Sequence, residues 1–215
     1  RFQRVDILFQ DWINLILRWA HLITGIAWIG SSFYFVWLDL SLRKRPGMDE
    51  GVYGEAWMVH GGGFYHVNKW MVAPKSMPPE LHWFKYEAYF TWLTGFALLV
   101  TMYYWSAESY LIDPNVMPLG KWDAILIGLA SLFAGWVIYD LMCKSPIGQS
   151  TGKLAIGVFI LAMVAAYGFT HVFSGRGAFI HVGAMLGTIM AANVFRIIIP
   201  NQKKVVASLM AGEKP

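Results

Sequence analysis

The side chains with the most chemical potential are six histidines and the charges that accompany them. Arg18 and His21 stand three positions apart inside the apolar run 12–40. On a helix they share a face, with Asn14 before them and Gly25, Trp28 and Ser32 after them. An ionisable group in so apolar a run is costly in lipid, so it normally faces a bundle interior and marks a functional site. The competing role is packing, with Arg18 snorkelling to headgroups and His21 bonded to a neighbouring helix. His171 and His181 fall at the ends of two later apolar runs, at a depth similar to His21. Neutral imidazole ligates haem iron, copper and zinc. No Asp or Glu is expected near this group, which disfavours a zinc hydrolase with a carboxylate base. Haem b suits it better, needing facing histidines, apolar walls and a glycine to admit the ring. His21 with His171 or His181 are therefore the candidate iron ligands, and Arg18 and Arg176 the candidate propionate partners. Hydrogen-bonded packing remains their alternative role.

The elements that must position these residues are membrane helices. Of 215 residues, 57% are hydrophobic and only 14% charged, against about 25% charged in soluble domains. Five stretches reach the roughly 20 apolar residues that cross a bilayer: Trp12–Leu40, Tyr86–Trp105, Asp123–Met142, Leu154–Phe173 and Ala178–Ile199. The expected fold is thus an all-α integral membrane protein, one domain over 1–215, with a long first connection at 41–85. Pro200 is expected to stop the last helix. In that helix Gly183, Gly187 and Ala191 form a small-residue stripe that permits close helix packing. Asp39 with Arg43, and Asp140 with Lys144, have the spacing of helix-end ion pairs.

Arg1, Arg4, Lys121 and Arg176 lie on one side of this arrangement, and twelve further lysines and arginines, from Arg43 to Lys214, lie on the other. The richer side is cytoplasmic by the positive-inside rule, so the N-terminus is outside and residue 215 inside. The net charge of +4 is explained by these flanks and not by nucleic acid. The lone Cys143 excludes an internal disulfide, a cysteine-built metal cluster and covalent c-type haem attachment within these residues. No cleavable signal peptide is visible, and a chain beginning with Arg1 is expected to be processed or part of something longer. In the 41–85 connection, Gly51–Val72 is aromatic-rich and is expected as a short helix or a membrane-surface segment. Gly61-Gly62-Gly63 within it reads as a flexible turn or as a place where backbone approaches a ligand. His60, His66 and His82 all belong to this connection, and Glu87 follows it.

Arg18-Trp19-Ala20-His21 with Trp28-Ile29-Gly30, His60-Gly61-Gly62-Gly63-Phe64-Tyr65-His66, and Leu81-His82-Trp83-Phe84-Lys85-Tyr86-Glu87-Ala88-Tyr89 together resemble the membrane domain of bacterial membrane-bound urate hydroxylases. Tyr139 to Pro146 and Phe179 to Asn193 match as well, so the resemblance runs through essentially the whole chain. The first-helix pattern is also similar to haem-binding membrane oxidases of porphyrin synthesis. The resemblance implies oxidation of urate to 5-hydroxyisourate in the bacterial inner membrane, with water as oxygen source and cytochrome c as electron acceptor. The family's further helices and its C-terminal cytochrome domain, carrying haem c, are absent from these residues, which contain no Cys-x-x-Cys-His. Electrons are therefore expected to reach a cytochrome c that is either fused or separate. Urate is a planar purine anion, and His60, His66, Lys69, Trp70, His82, Trp83 and Lys85 offer it aromatic faces and cationic donors. His60, His66, His82 and Glu87 are the candidate catalytic residues, with Glu87 or a histidine activating water as general base. Two other functions fit the residues: a haem-b electron carrier or quinol oxidoreductase without urate chemistry, and a purine or metal transporter, the latter disfavoured by the lack of paired broken helices.

Overall fold

A computed structural model of the chain describes residues 2–74 and 76–213, with side chains from Phe9 onward. Arg1, Lys75, Lys214 and the side chain of Arg4, used above to orient the chain, lie outside these described residues, as does Pro215.

Helix α1 spans Phe2–Ser41, 40 residues. At 1.5 Å per residue it is about 60 Å long, against a hydrocarbon core of about 30 Å. It starts earlier than the apolar run because no Gly or Pro interrupts 2–11. Its large apolar side chains, among them Phe9, Trp12, Trp19, Ile26 and Phe33, are mostly exposed, and Leu38 is the one hydrophobic residue of α1 that is buried among the described side chains.

The segment expected as a short helix is instead an antiparallel hairpin of β1 (Val52–His60) and β2 (Gly63–Trp70). The described fold is therefore mostly helical, not all-α. Gly61 and Gly62 have φ of 58° and 79°, the left-handed conformation that a two-residue hairpin turn needs for its twist to match the strands. The flanking runs place Val52, Tyr53, Trp57 and Val59 against Phe64, Tyr65 and Val67, residues that favour a pleated surface. One face of the hairpin covers the end of α1. The backbones of Arg43 and Glu55 pair at 2.9 and 3.0 Å, and the Tyr34 hydroxyl donates to Met58 Sδ at 3.5 Å. The other face exposes Trp57, Val59 and Phe64. Returning over the helix end, β2 brings Lys69 to Asp39 at 2.7 Å. Arg43, the partner expected from spacing, donates instead to the Leu40 and Leu42 carbonyl oxygens. Asp140 and Lys144 pair at 2.6 Å, as their spacing predicts.

Helix α2 (Tyr86–Leu98) runs into a π-helical turn, Leu99–Tyr104, and is followed by the short α3 (Ala107–Tyr110). Then come α4 (Lys121–Lys144), α5 (Thr151–Thr170) and α6 (Gly175–Asn193). A second π turn, Val194–Ile198, leads into α7 (Ile199–Met210). Pro200 therefore does not stop the last helix. It lies just after the second π turn, inside the continuous helical stretch Gly175–Met210. Ser150 caps α5 through the Lys153 N–H, and Ser174 caps α6 through the Gly177 N–H.

Among the described residues, four helices are long and apolar enough to cross a membrane: Phe9–Ser41, Lys121–Lys144, Thr151–Thr170 and Gly175–Met210. The expected span 86–105 is helical but is not among them, because Glu87, three threonines and several tyrosines lower its hydropathy. The densest core forms where α4, α5 and α6 meet the first π turn, around Tyr104, Leu111, Leu132, Phe169, Phe173, Met185 and Ile189.

Replacing Gly62 by Val forces a β-branched residue into the left-handed region, at about 1–2 kcal/mol. Faster amide exchange along β1 and β2, with the helices unchanged, is the expected outcome.

Candidate functional site

Helix α1 is held to α2 by polar bonds along the face that the sequence singles out. Gln10 Nε2 donates to the Thr101 carbonyl at 3.3 Å, and the Thr101 hydroxyl donates to Asn14 Oδ1 at 3.0 Å. Two turns further, His21 Nδ1 lies 3.0 Å from the Thr91 carbonyl and 3.2 Å from Thr94 Oγ1. The Thr94 hydroxyl already donates to the Phe90 carbonyl at 2.6 Å. Both partners thus accept, and Nδ1 carries the proton. In the neutral ring Nε2 is then the lone-pair nitrogen, the arrangement that second-shell bonds impose on metal-binding histidines. Gly95 makes room for this ring: a Cβ there would stand 2.8 Å from His21 Cε1.

His21 opens onto a cavity of about 540 Å³ between α1, α2, α4 and α6, within the size range of small-molecule sites. Arg18 and Arg176 enter the same cavity, joined by Trp28, Trp92, Phe96, Met102 and Tyr103. Gly183 and Gly187 line it too, with nothing within 4 Å of where their Cβ atoms would be. These two glycines, expected to seat a neighbouring helix, instead give the cavity a bare floor, while Ala191 of the same stripe is buried.

Arg18 Nη2 lies 3.2 Å from Met102 Sδ. Arg176 Nε donates to the Tyr103 hydroxyl at 3.1 Å, and its guanidinium lies over the Tyr103 and Tyr110 rings. Among the described residues neither arginine has a carboxylate partner. These two arginines, themselves exposed and lining an otherwise mostly apolar cavity, make it a place for an anionic ligand.

The three histidines expected at this depth are not brought together. His181 is fully buried on the far side of α6. Its Nδ1 bonds the Gly177 carbonyl at 2.8 Å and its Nε2 the Tyr104 hydroxyl at 3.2 Å, which occupies both nitrogens. His171 is exposed just beyond α5, with Nδ1 on the Tyr167 carbonyl at 2.8 Å. Neither lines the cavity. Among the described residues no three His, Cys, Asp or Glu side chains gather as a metal site.

The four candidate catalytic residues divide into two groups. His60 is exposed at the end of β1, opposite Gly63. His66 stacks on Trp57, 4.2 Å between centroids, and its Nε2 lies 2.7 Å from Glu55 Oε2. Arg45 meets the other Glu55 oxygen at 3.2 Å. His82 and Glu87 line a second cavity, of about 400 Å³, with Trp28, Trp83, Phe84 and Gln202.

Sequence reading missed the α2 wall and Gln202. Thr91, Thr94, Gly95 and Leu98 recur at helical spacing and were available as a signal. Gln202 was hidden by the expectation that Pro200 ends the helix.

Two outcomes test this geometry. Gly95→Ala drives a methyl against His21 and is expected to cost about 1–3 kcal/mol, read as a lowered melting temperature in detergent. The hydrogen bond from His66, joined by those from Trp57 and the charge of Arg45, holds the Glu55 carboxyl below the usual carboxylate range despite desolvation. A carboxyl so lowered contributes fully above its ordinary pKa and loses its contribution as pH falls through the lowered value. Amide exchange at Ala56 and Val67, corrected for intrinsic rates, should therefore accelerate on acidification, and Glu55→Gln should flatten the dependence.

No curated protein matches this chain, and no solved structure does. The family model described as urate oxidase N-terminal matches residues 7–215. Because that match takes in both cavities, the hairpin and every helix from α2 onward, the chain belongs to the urate oxidase N-terminal family.

Proposed function

We propose that the chain is the membrane-embedded part of an oxidoreductase that oxidises urate to 5-hydroxyisourate, with water as oxygen source and cytochrome c, fused or separate, as electron acceptor. Family membership supports the urate chemistry. The four long apolar helices support a place in the bacterial inner membrane. The uneven lysine and arginine distribution supports an outer N-terminus and a cytoplasmic C-terminal end. Counted from the neutral purine, one water adds its oxygen to C5 while one of its O–H bonds and one ring N–H bond break. Two protons and two electrons leave, and the electrons reduce two ferric cytochromes c.

The observation that carries this reading is the convergence of Arg18, His21 and Arg176 on one apolar chamber with no carboxylate among the described residues. Its residues fit haem b. His21 would hold its iron through Nε2 and Arg18 and Arg176 would hold its propionates, while Gly183, Gly187, Trp92 and Phe96 line the same cavity. Met102 and Tyr103 are the other lining side chains of kinds that ligate haem iron. Haem b bound there supplies a one-electron acceptor on the way to cytochrome c. The Thr91 carbonyl holds His21 in the tautomer and orientation that this requires, and Arg18 and Arg176 keep an anionic group in the chamber.

A reduced-minus-oxidised spectrum of the purified protein, with a pyridine haemochrome assay, tests this. The expected result is a b-type spectrum that urate reduces and that His21→Ala abolishes. A haem indifferent to urate would leave an electron carrier without purine chemistry. Absence of b-type haem would return His21 to a packing role.

A further inference from the structure

Directly beyond the Arg18–His21 chamber lies the second cavity, and Trp28 walls both. It is enclosed by the C-terminal half of α1, the 82–84 segment, the first turn of α2 and α7. Its character differs from the first. The main chamber offers cations and apolar surface, whereas this one offers the Glu87 carboxylate, the His82 imidazole, a carboxamide and hydroxyls beside aromatic rings.

Glu87 carries the sharpest signal. Its Oε2 is buried and has no hydrogen-bond partner among the described residues. A buried carboxylate oxygen bears its full desolvation penalty until something donates to it, so the cavity calls for a ligand with an N–H or O–H to donate. Gln202, reached because α7 continues past Pro200, adds a group that both donates and accepts. That pair of valences matches the adjacent C=O and N–H of a cyclic amide. Trp28, Trp83 and Phe84 offer flat faces for a planar ring.

We propose that this cavity binds the oxidised purine itself, Gln202 reading a C=O/N–H edge and Glu87 accepting a ring N–H, and that Glu87 is the base of the reaction. The inference rests on the urate reading above and gives it a location. During oxidation Glu87 takes the proton of the water O–H bond that breaks as the C5–O bond forms. The ring proton leaves to solvent, and the two electrons pass to the acceptors already named. Trp28 then stands between the purine and the redox chamber, separating the site of bond formation from the site of electron removal. His60 and His66, on the hairpin, take no part in this step.

The test uses the full protein and urate as the probe, in equilibrium dialysis without an electron acceptor, together with urate-driven reduction of cytochrome c. Gln202→Leu is expected to weaken urate binding about ten- to a hundredfold, the worth of its two hydrogen bonds. Glu87→Gln keeps an accepting oxygen, so binding should change little, while reduction falls by about 10²- to 10⁴-fold, the usual contribution of a general base. Unchanged melting temperatures in both variants establish that the fold is intact. Urate binding lost instead in Arg18→Gln or Arg176→Gln, with both inner variants binding normally, would put the purine in the main chamber and overturn the inference. Full turnover by Glu87→Gln would remove its role as base. Urate bound through Gln202 by a protein free of b-type haem would overturn the cofactor reading and leave this one standing.

Discussion

A polar group that leaves water must find its partner inside the protein, and the seam between α1 and α2 is built from that requirement. In lipid there is little hydrophobic drive to press one apolar helix on another, and α1 has almost no buried apolar side chain to contribute. What attaches it is a ladder of bonds from Gln10, Asn14 and His21 to Thr101, Thr91 and Thr94. The His21 rung does two things at once: it holds the helix, and it decides which imidazole nitrogen faces the cavity. Removing it would loosen α1 and scramble the wall of the main chamber together.

Two π turns do the remaining positioning. Wide turns of this kind are rare and concentrate at functional sites. The first, Leu99–Tyr104, lets neighbouring tyrosines serve different partners: Tyr103 reaches Arg176 at the cavity, and Tyr104 reaches His181 in the core. Buried Tyr104 and His181 thereby satisfy each other, in the space that Gly128 of α4 leaves open beside them. The second, Val194–Ile198, carries the helix through to Pro200 and onward, which delivers Gln202 to the inner cavity.

Much of this was legible in the residues. The face of α1 bearing Asn14, Arg18, His21 and Trp28 follows from helical spacing alone, and the structure gathers Arg176 to it as well. The family likewise followed from motifs spread along the chain. Other features depended on signals of a different order. The Gly61-Gly62 pair between two aromatic runs is a hairpin signature, but the pull of a membrane composition favoured a helix there. Depth inferred from the apolar runs could not tell His171 and His181 from His21, although α1 begins well before its apolar run and leaves His21 near its middle. Direction around the helix axis separates them, and that depends on π turns and on which neighbour each helix meets. The pairing of His66 with Glu55 required the β register, which places Trp57 opposite His66.

One helix supplies a wall to both cavities, and this gives its length a meaning beyond reach. Arg18, His21, Gly25, Trp28, Ser32 and Phe35 recur at steps of three and four, so a single straight stripe serves both ends. From Arg18 to Ser32 the rise is about 21 Å, two heptads. The helix therefore acts as a phase-locked ruler. Adding or removing one residue between His21 and Trp28 would turn one cavity wall by about 100° relative to the other. Only changes close to a whole number of turns, such as seven or eleven residues, would keep the two walls in phase, so the two chambers are tied in register through the helix itself.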